Sequence, residues 1–285
     1  ASASMAEFEF ERGKYHLRKD ELVKAGQRFE LVRRQYPTSP IIPETMYWIA
    51  RAHELREQPQ YAIQVYDSIL LLYPTNSIVP RTQLSLGNVY YNLEQWDPAA
   101  KLFKTILDHA DRSPDLVQYA MNNLILTYKE LNLFDAALEM TRKYIAQYPE
   151  DPDLIDKRID IGVLYQKLGY YEQSVLHLQK LLETSNSEIE PEVRYYIGEA
   201  FFFKGDFQQA ILEFLKVPYM VGRRGKVDWT ATSYYMAGQS YEKMAKYDQA
   251  VTMYRQIIER PGIDVAFKSA AQKEIDRVKT IERKN

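Results

Sequence analysis

The chain of 285 residues contains no cysteine, so disulfides, thiolate zinc sites and cysteine nucleophiles are excluded. The same absence leaves the redox compartment unread. No apolar run approaches the ~18 residues that a membrane-spanning helix needs. An excess of one charge is also missing. There are 37 Lys and Arg against 39 Asp and Glu, a net charge of −2, which argues against the strongly basic face that nucleic-acid binding requires. Strand-like alternation of apolar and polar residues does not occur. Hydrophobic content of 46% is nevertheless ample for a folded chain. The chain starts Ala1-Ser2-Ala3-Ser4 without an initiator methionine. The expectation is a processed mature form or an appended leader ahead of Met5, with residues 1–5 as a disordered tail. An export signal or a lipid-anchor cysteine would then lie upstream.

What the chain does have is recurrence. Ala25, Ala62, Ala99, Ala137, Ser174, Ala210 and Ala250 follow one another at steps of 37, 37, 38, 37, 36 and 40 residues. Twelve residues before each stands Gly13, Ala50, Gly87, Ile125, Gly162, Gly198 or Gly238. Three residues after these come His16, His53, Tyr90, Tyr128, Tyr165, Phe201 and Tyr241, and four residues after the alanine column come Phe29, Tyr66, Phe103, Thr141, Leu178, Phe214 and Tyr254. Pro37, Pro74 and Pro149 close the first, second and fourth units. Small residues at two fixed places let paired helices cross closely, and large ones beside them fill the remaining space. Ile125, Thr141 and Ser174 break the pattern, so repeats four and five are expected to be less regular.

This pattern resembles the tetratricopeptide repeat, whose signature sets a small residue at position 8, an aromatic at 11, alanine at 20, an aromatic at 24 and proline near 32. The resemblance implies an all-α, right-handed superhelical solenoid of seven antiparallel helix pairs with a C-terminal capping helix. Its units span about 6–40, 41–77, 78–114, 115–152, 153–189, 190–227 and 228–263 of a single array, and the cap spans 264–283. Asp97-Pro98 reads as a helix start with an acidic N-cap, and Asp135 and Asp248 occupy the same place. Gly169 and Gly205 suit left-handed residues between paired helices. In the cap, Val265, Ala266, Ala270, Ile275 and Val278 form the expected apolar stripe.

Little here points to catalysis. His16 and His53 share a register position, but no ligand spacing such as H-E-x-x-H accompanies them, so no metal is expected. No nucleophile–base–acid order and no paired carboxylates stand out, so neither an enzyme nor a cofactor is expected. Gly222-Arg-Arg-Gly-Lys226 lacks the spacing of a phosphate loop. It reads as a basic linker, with Arg223, Arg224 and Lys226 as a candidate anion contact.

The family resemblance further implies that the first helix of each pair lines a partner-binding groove at its positions 2, 5, 9, 12 and 13. Position 5 supplies Tyr47, Leu84, Asn122, Tyr195 and Tyr235. Position 9 supplies Arg51, Asn88, Leu126, Glu199 and Gln239, and Tyr91 and Phe202 follow on the same face. Aromatics interleaved with amides and charges suit a peptide. The carboxylate clamp of chaperone-adaptor members is not matched. Asn88 and Asn123 occupy its asparagine places, but Leu84 stands where lysine is needed, and Asp156 and Asp160 stand where cations are needed. Linkers such as Tyr36-Pro37-Thr38-Ser39-Pro40 and Tyr148-Pro149-Glu150-Asp151-Pro152 are similar in style to bacterial envelope members of the family. Those include an outer-membrane assembly lipoprotein and a Tol–Pal-associated periplasmic protein. The expectation is a non-catalytic protein–protein scaffold that is periplasmic or outer-membrane-associated, with a cytoplasmic setting as the alternative. The rival readings are a structural subunit positioning a catalytic or secretion partner, and a cell-wall- or glycan-binding solenoid.

Overall fold

The computed structural model describes residues 2–108, 113–222, 225 and 227–282. The candidate anion contact of Arg223, Arg224 and Lys226 lies outside the described residues, as does His109. Fifteen α-helices are formed among the described residues. They are α1 (Ser2–Arg18), α2 (Leu22–Gln35), α3 (Ile42–Leu55), α4 (Pro59–Leu72), α5 (Val79–Asn92), α6 (Trp96–Leu107), α7 (Pro114–Glu130) and α8 (Phe134–Gln147), then α9 (Leu154–Lys167), α10 (Tyr171–Thr184), α11 (Glu190–Lys204), α12 (Phe207–Phe214), α13 (Trp229–Lys243), α14 (Tyr247–Glu259) and α15 (Val265–Glu282). Consecutive helices pair as seven antiparallel hairpins, and α15 caps the last. The chain divides into two compact units, 1–148 and 149–285. The division falls between repeats four and five, within what the sequence suggested was one array.

Each hairpin turns by the same local chemistry. Asp20, Glu57, Glu94, Asn132 and Ala245 adopt φ of 59°, 57°, 58°, 56° and 56°, and Gly169 and Gly205 adopt 79° and 89°. These seven residues recur at the repeat period. The amide of each bonds a carbonyl three residues back, and the next amide bonds one five residues back, as in Glu94 N→Tyr91 O and Gln95 N→Tyr90 O, both 2.9 Å. That is the Schellman closure, which satisfies the carbonyls left over at a helix end. Glycine is expected at this place, yet five repeats accept a side chain in the left-handed region, where it costs about 1–2 kcal/mol.

Helix starts follow different rules from those expected. Asp97 is not an N-cap, because α6 already begins at Trp96 and Gln95 caps it without a side-chain bond. Pro98 still falls in the first turn, where its missing N–H breaks no intrahelical bond. Asp135 and Asp248 likewise sit one residue inside α8 and α14. There their carboxylates meet the positive end of the helix dipole. Side-chain caps occur instead at Ser113, Asp206 and Asp228, which accept from the amides of Leu116, Gln209 and Ala231. Helix α1 begins at Ser2 rather than after residue 5, since nothing in Ala3-Ser4-Met5 breaks a helix.

The crossings show why position 8 is small. A Cβ on Gly13, Gly87, Gly198 or Gly238 would lie 2.5–2.7 Å from the ring of Phe29, Phe103, Phe214 or Tyr254, the position-24 residue of the same hairpin. Repeat four keeps the crossing by exchange. Its position 8 is the large Ile125 and its position 24 the small Thr141, both buried. Repeat five places a serine in the alanine column without leaving it unpaired. Ser174 is fully buried, donates to the Gly162 carbonyl at 2.8 Å and accepts from Gln166 Nε2 at 3.2 Å. Both departures are therefore compensated.

The cap seals the last hairpin through a stripe different from the expected one. Ala271, Ile275 and Val278 are buried and Phe267 half-buried, whereas Val265, Ala266 and Ala270 are exposed. The buried set is spaced by four, four and three residues, which is one helical face. Two polar latches fix it: Tyr235 donates to Glu274 at 3.1 Å, and Arg277 Nη2 donates to both Glu242 oxygens at 2.7 Å.

Candidate functional site

In the N-terminal compact unit, α5 and α7 lie side by side as the first helices of repeats three and four. Along α5, Arg81, Leu84, Asn88 and Tyr91 recur every three or four residues and so share one face. Along α7, Leu116, Tyr119, Asn123 and Leu126 do the same. Two concavities follow these stripes. One of about 490 Å³ is lined by Arg81, Leu84, Asp115, Leu116 and Tyr119 among others. The other, of about 300 Å³, is lined by Asn88, Tyr91, Asn92, Asn123 and Leu126. At 1.5 Å rise per residue, Arg81 to Asn92 spans roughly 16 Å, the length of about five extended residues.

The centre of this face is an amide pair. Asn123 Nδ2 donates to Asn88 Oδ1 at 2.7 Å. That bond leaves the Asn88 NH₂ group as donor and the Asn123 carbonyl as acceptor, the complement of one peptide unit. Tyr91 stands next to it. Burial, and then the neighbouring Glu130 carboxylate to which it donates, push its phenol above the ordinary tyrosine range. It therefore stays a neutral donor. Tyr119 is 63% exposed at the other end, offering an aromatic surface to a partner. Arg81 stacks its guanidinium 4.7 Å from the Tyr47 ring and 5.3 Å from the Trp48 ring. This holds a long cation in place beside the groove.

Several residues expected in a groove are instead committed to packing. Tyr47 is 4% exposed and its hydroxyl meets Ser85 Oγ at 3.0 Å. Arg51 is ion-paired with Glu54, which also accepts from Tyr66. In the C-terminal compact unit, Tyr195 is 8% exposed, lies 5.6 Å from the Phe214 ring and 5.2 Å from Trp229, and donates to Glu199 at 3.3 Å. Tyr235 packs 5.6 Å from Tyr254, accepts from Gln239, and donates to the capping helix. The physical reason is common to the three tyrosines. A position-5 tyrosine is long enough to reach the first helix of the following pair, and that helix covers it. Phe202 lies in a ring cluster with Phe203 and Phe207, at 5.6 and 5.4 Å. Leu84, Asn88, Tyr91, Asn122 and Leu126 remain half-buried or exposed on the α5–α7 pair. The sequence reading left out Arg81 and Tyr119, although both occupy position 2 of the register.

Glu54 and Glu199 are half-buried acids of these faces, and desolvation raises both above the ordinary carboxylate range. Among the described residues, no three His, Asp or Glu side chains converge as metal ligands. No helix among them is long and apolar enough to cross a membrane.

The fold and the register agree with comparisons to known proteins. Models described as tetratricopeptide repeat match residues 44–76, 232–262 and 158–187. No curated protein sequence matches. Among solved structures, the chain is similar to a tetratricopeptide repeat protein from Parabacteroides merdae, at 16% identity and a TM-score of 0.59, covering 94% of this chain and 97% of that one. It is also similar to MamA from Desulfovibrio magneticus, at 19% identity and a TM-score of 0.51, over 62% of this chain and 93% of that one. A third likeness is to a chain of the Naa15/Naa10 complex bound to HypK, at 14% identity and a TM-score of 0.54, over 94% of this chain and 39% of that one. Three segments are matched by the repeat models and the same hairpin register is carried through all seven pairs, so the chain carries tetratricopeptide repeats.

Proposed function

We propose that the chain is a non-catalytic scaffold that binds an extended segment of a partner protein along α5 and α7. Tetratricopeptide repeats are protein–protein interaction modules, and that much the fold supports directly. The observation that carries the finer reading is the Asn88–Asn123 pair, a donor and an acceptor in the wall of the concavity at Tyr91 and Leu126, on the same face as the one at Arg81 and Tyr119. Side-chain amides bonded to a peptide backbone give affinity without demanding a sequence, and the flanking concavities give selectivity. We further propose a bacterial envelope setting, supported by the Tyr-Pro linkers after Tyr36 and Tyr148.

A phage-displayed random peptide library panned on the immobilised chain tests the site. Enriched peptides should lose at least tenfold in affinity to an Asn88→Ala, Asn123→Ala double variant whose melting temperature is close to the parent's. Peptides that bind the double variant with parental affinity place the partner elsewhere. Fractionation of cells carrying the tagged native protein tests the compartment, and recovery in the cytosol alone refutes the envelope setting.

A further inference from the structure

One residue past the alanine column, six repeats carry an apolar side chain: Ile63, Ala100, Leu138, Val175, Ile211 and Val251. All six are buried or half-buried. Repeat one has Gly26 there, and a Cβ built on it meets nothing within 4 Å. Its backbone is not left-handed, so no turn requires glycine. A glycine inside α2 weakens the helix by about 1 kcal/mol relative to alanine. The fold gives no return for that loss, and such a breach of local rules is characteristic of a functional position.

Gly26 lines a concavity of about 640 Å³ between α2 and α3, within the range of ligand pockets. Ile49 and Ala52, each 2% exposed, form its floor. His53 makes a fixed wall, with its ring stacked on Tyr61 at 26° and its Nδ1 held 2.9 Å from Gln58 Oε1. Arg34 and Arg56 stand exposed at the rim. The acidic lining residue, Glu30, is engaged by Arg33 at 2.8 and 3.0 Å and lies only loosely beside Arg34, 3.9 Å from its Nε. This side of α3 faces away from Arg51 and Glu54, because residues two apart on a helix are about 200° around its axis.

We propose that this pocket is a second docking site, which receives one large apolar side chain from a partner segment whose neighbouring residues carry carboxylates. The concavity, with its apolar floor, has the volume for an aromatic anchor, and buried aromatic anchors dominate interface energetics. The two guanidinium groups at the rim match carboxylates in bidentate geometry, which selects an acidic context over a basic one.

The test uses the full chain and three acetylated, amidated pentapeptides. One has tryptophan between paired acidic residues, one has tryptophan between paired lysines, and one replaces the tryptophan of the acidic peptide by alanine. Binding is read from amide shifts in ¹H–¹⁵N spectra. Only the acidic tryptophan peptide should shift Gly26 and Ala52 saturably. Gly26→Met, which restores an apolar side chain at this register, should weaken it at least tenfold while melting no lower than the parent. Arg34→Ala with Arg56→Ala should weaken it roughly tenfold and remove its salt dependence. The proposal is overturned by absence of a saturable shift at Gly26, by equal binding of the acidic and basic tryptophan peptides, or by undiminished binding to Gly26→Met.

Discussion

Two chemically identical substitutions in the N-terminal compact unit should change stability in opposite directions. Gly26→Ala and Gly87→Ala each place a methyl group on a helix. At both positions the helix gains about 1 kcal/mol, because alanine loses less backbone entropy than glycine on folding. At Gly26 that is the whole effect, since the new Cβ meets nothing within 4 Å. At Gly87 the Cβ would lie 2.5, 2.9 and 3.1 Å from Phe103 Cε1, Cζ and Cδ1. The Phe103 ring is fully buried and has no flexible end to swing aside. Overpacking of this kind typically costs about 1–3 kcal/mol. Repeat two already seats Ala50 over Tyr66, so the crossing is able to re-form around a methyl, and a central figure of about 2 kcal/mol is appropriate. The net expectation is a gain of about 1 kcal/mol for Gly26→Ala and a loss of about 1 kcal/mol for Gly87→Ala. A separation of about 2 kcal/mol corresponds to roughly 4–8 °C in melting temperature for a unit of this size. Urea titration and thermal melts of the two variants beside the parent measure it. A Gly87→Ala variant as stable as Gly26→Ala would refute the steric account of position 8.

Three further outcomes are expected. Thr141→Phe alone should overfill the crossing of repeat four by about 1–3 kcal/mol, and adding Ile125→Gly should recover at least about 1 kcal/mol of the summed losses in a double-mutant cycle. Additive losses would mean that the two positions do not share a crossing. Burial raises the Glu54 carboxyl above its unfolded value, so its contribution is favourable at low pH and is lost as pH rises through the folded-state value. The parent should therefore lose stability relative to Glu54→Gln between pH 4 and pH 7 in urea titrations, and a pH-independent difference refutes this. In the cap, Ile275→Ala should weaken the docking of α15 by about 2–4 kcal/mol, whereas Arg277→Ala, whose side chain is 47% exposed, should weaken it by less than about 1 kcal/mol. Hydrogen exchange of α15 amides reads both, and the reverse order would show that the ion pairs hold the cap.

The hairpin register was legible because it rests on sterics that a sequence records directly. A glycine or alanine at Gly87 and Ala99 and an aromatic at Phe103 are what a close helix crossing requires. Helix starts were less legible. The Asp-Pro pair at Asp97 satisfies the rules for a cap and equally those for a first turn, and only the backbone of Gln95 decides between them. The groove was the least legible part. Tyr47, Tyr195 and Tyr235 have the composition of a binding ladder, but the sequence does not say that the next helix reaches over them. The compensation at Ile125 and Thr141 was visible as two irregularities, and pairing them required knowing that these two positions touch.

The capping helix has a consequence for how long such a molecule can be. Helix α15 packs against the last hairpin through Ala271, Ile275 and Val278, and bonds Glu242 and Tyr235 from the first helix of that hairpin. It thus occupies the berth that the leading helix of an eighth repeat would take. The outer face of this one helix is polar, and its exposed Ser269, Lys273, Asp276 and Thr280 give another hairpin little apolar surface to pack on. A hairpin spliced in after Ile263 would inherit the berth and pass it on to the same terminator. Array length is therefore a modular property, set where α15 is placed and independent of the crossings that precede it.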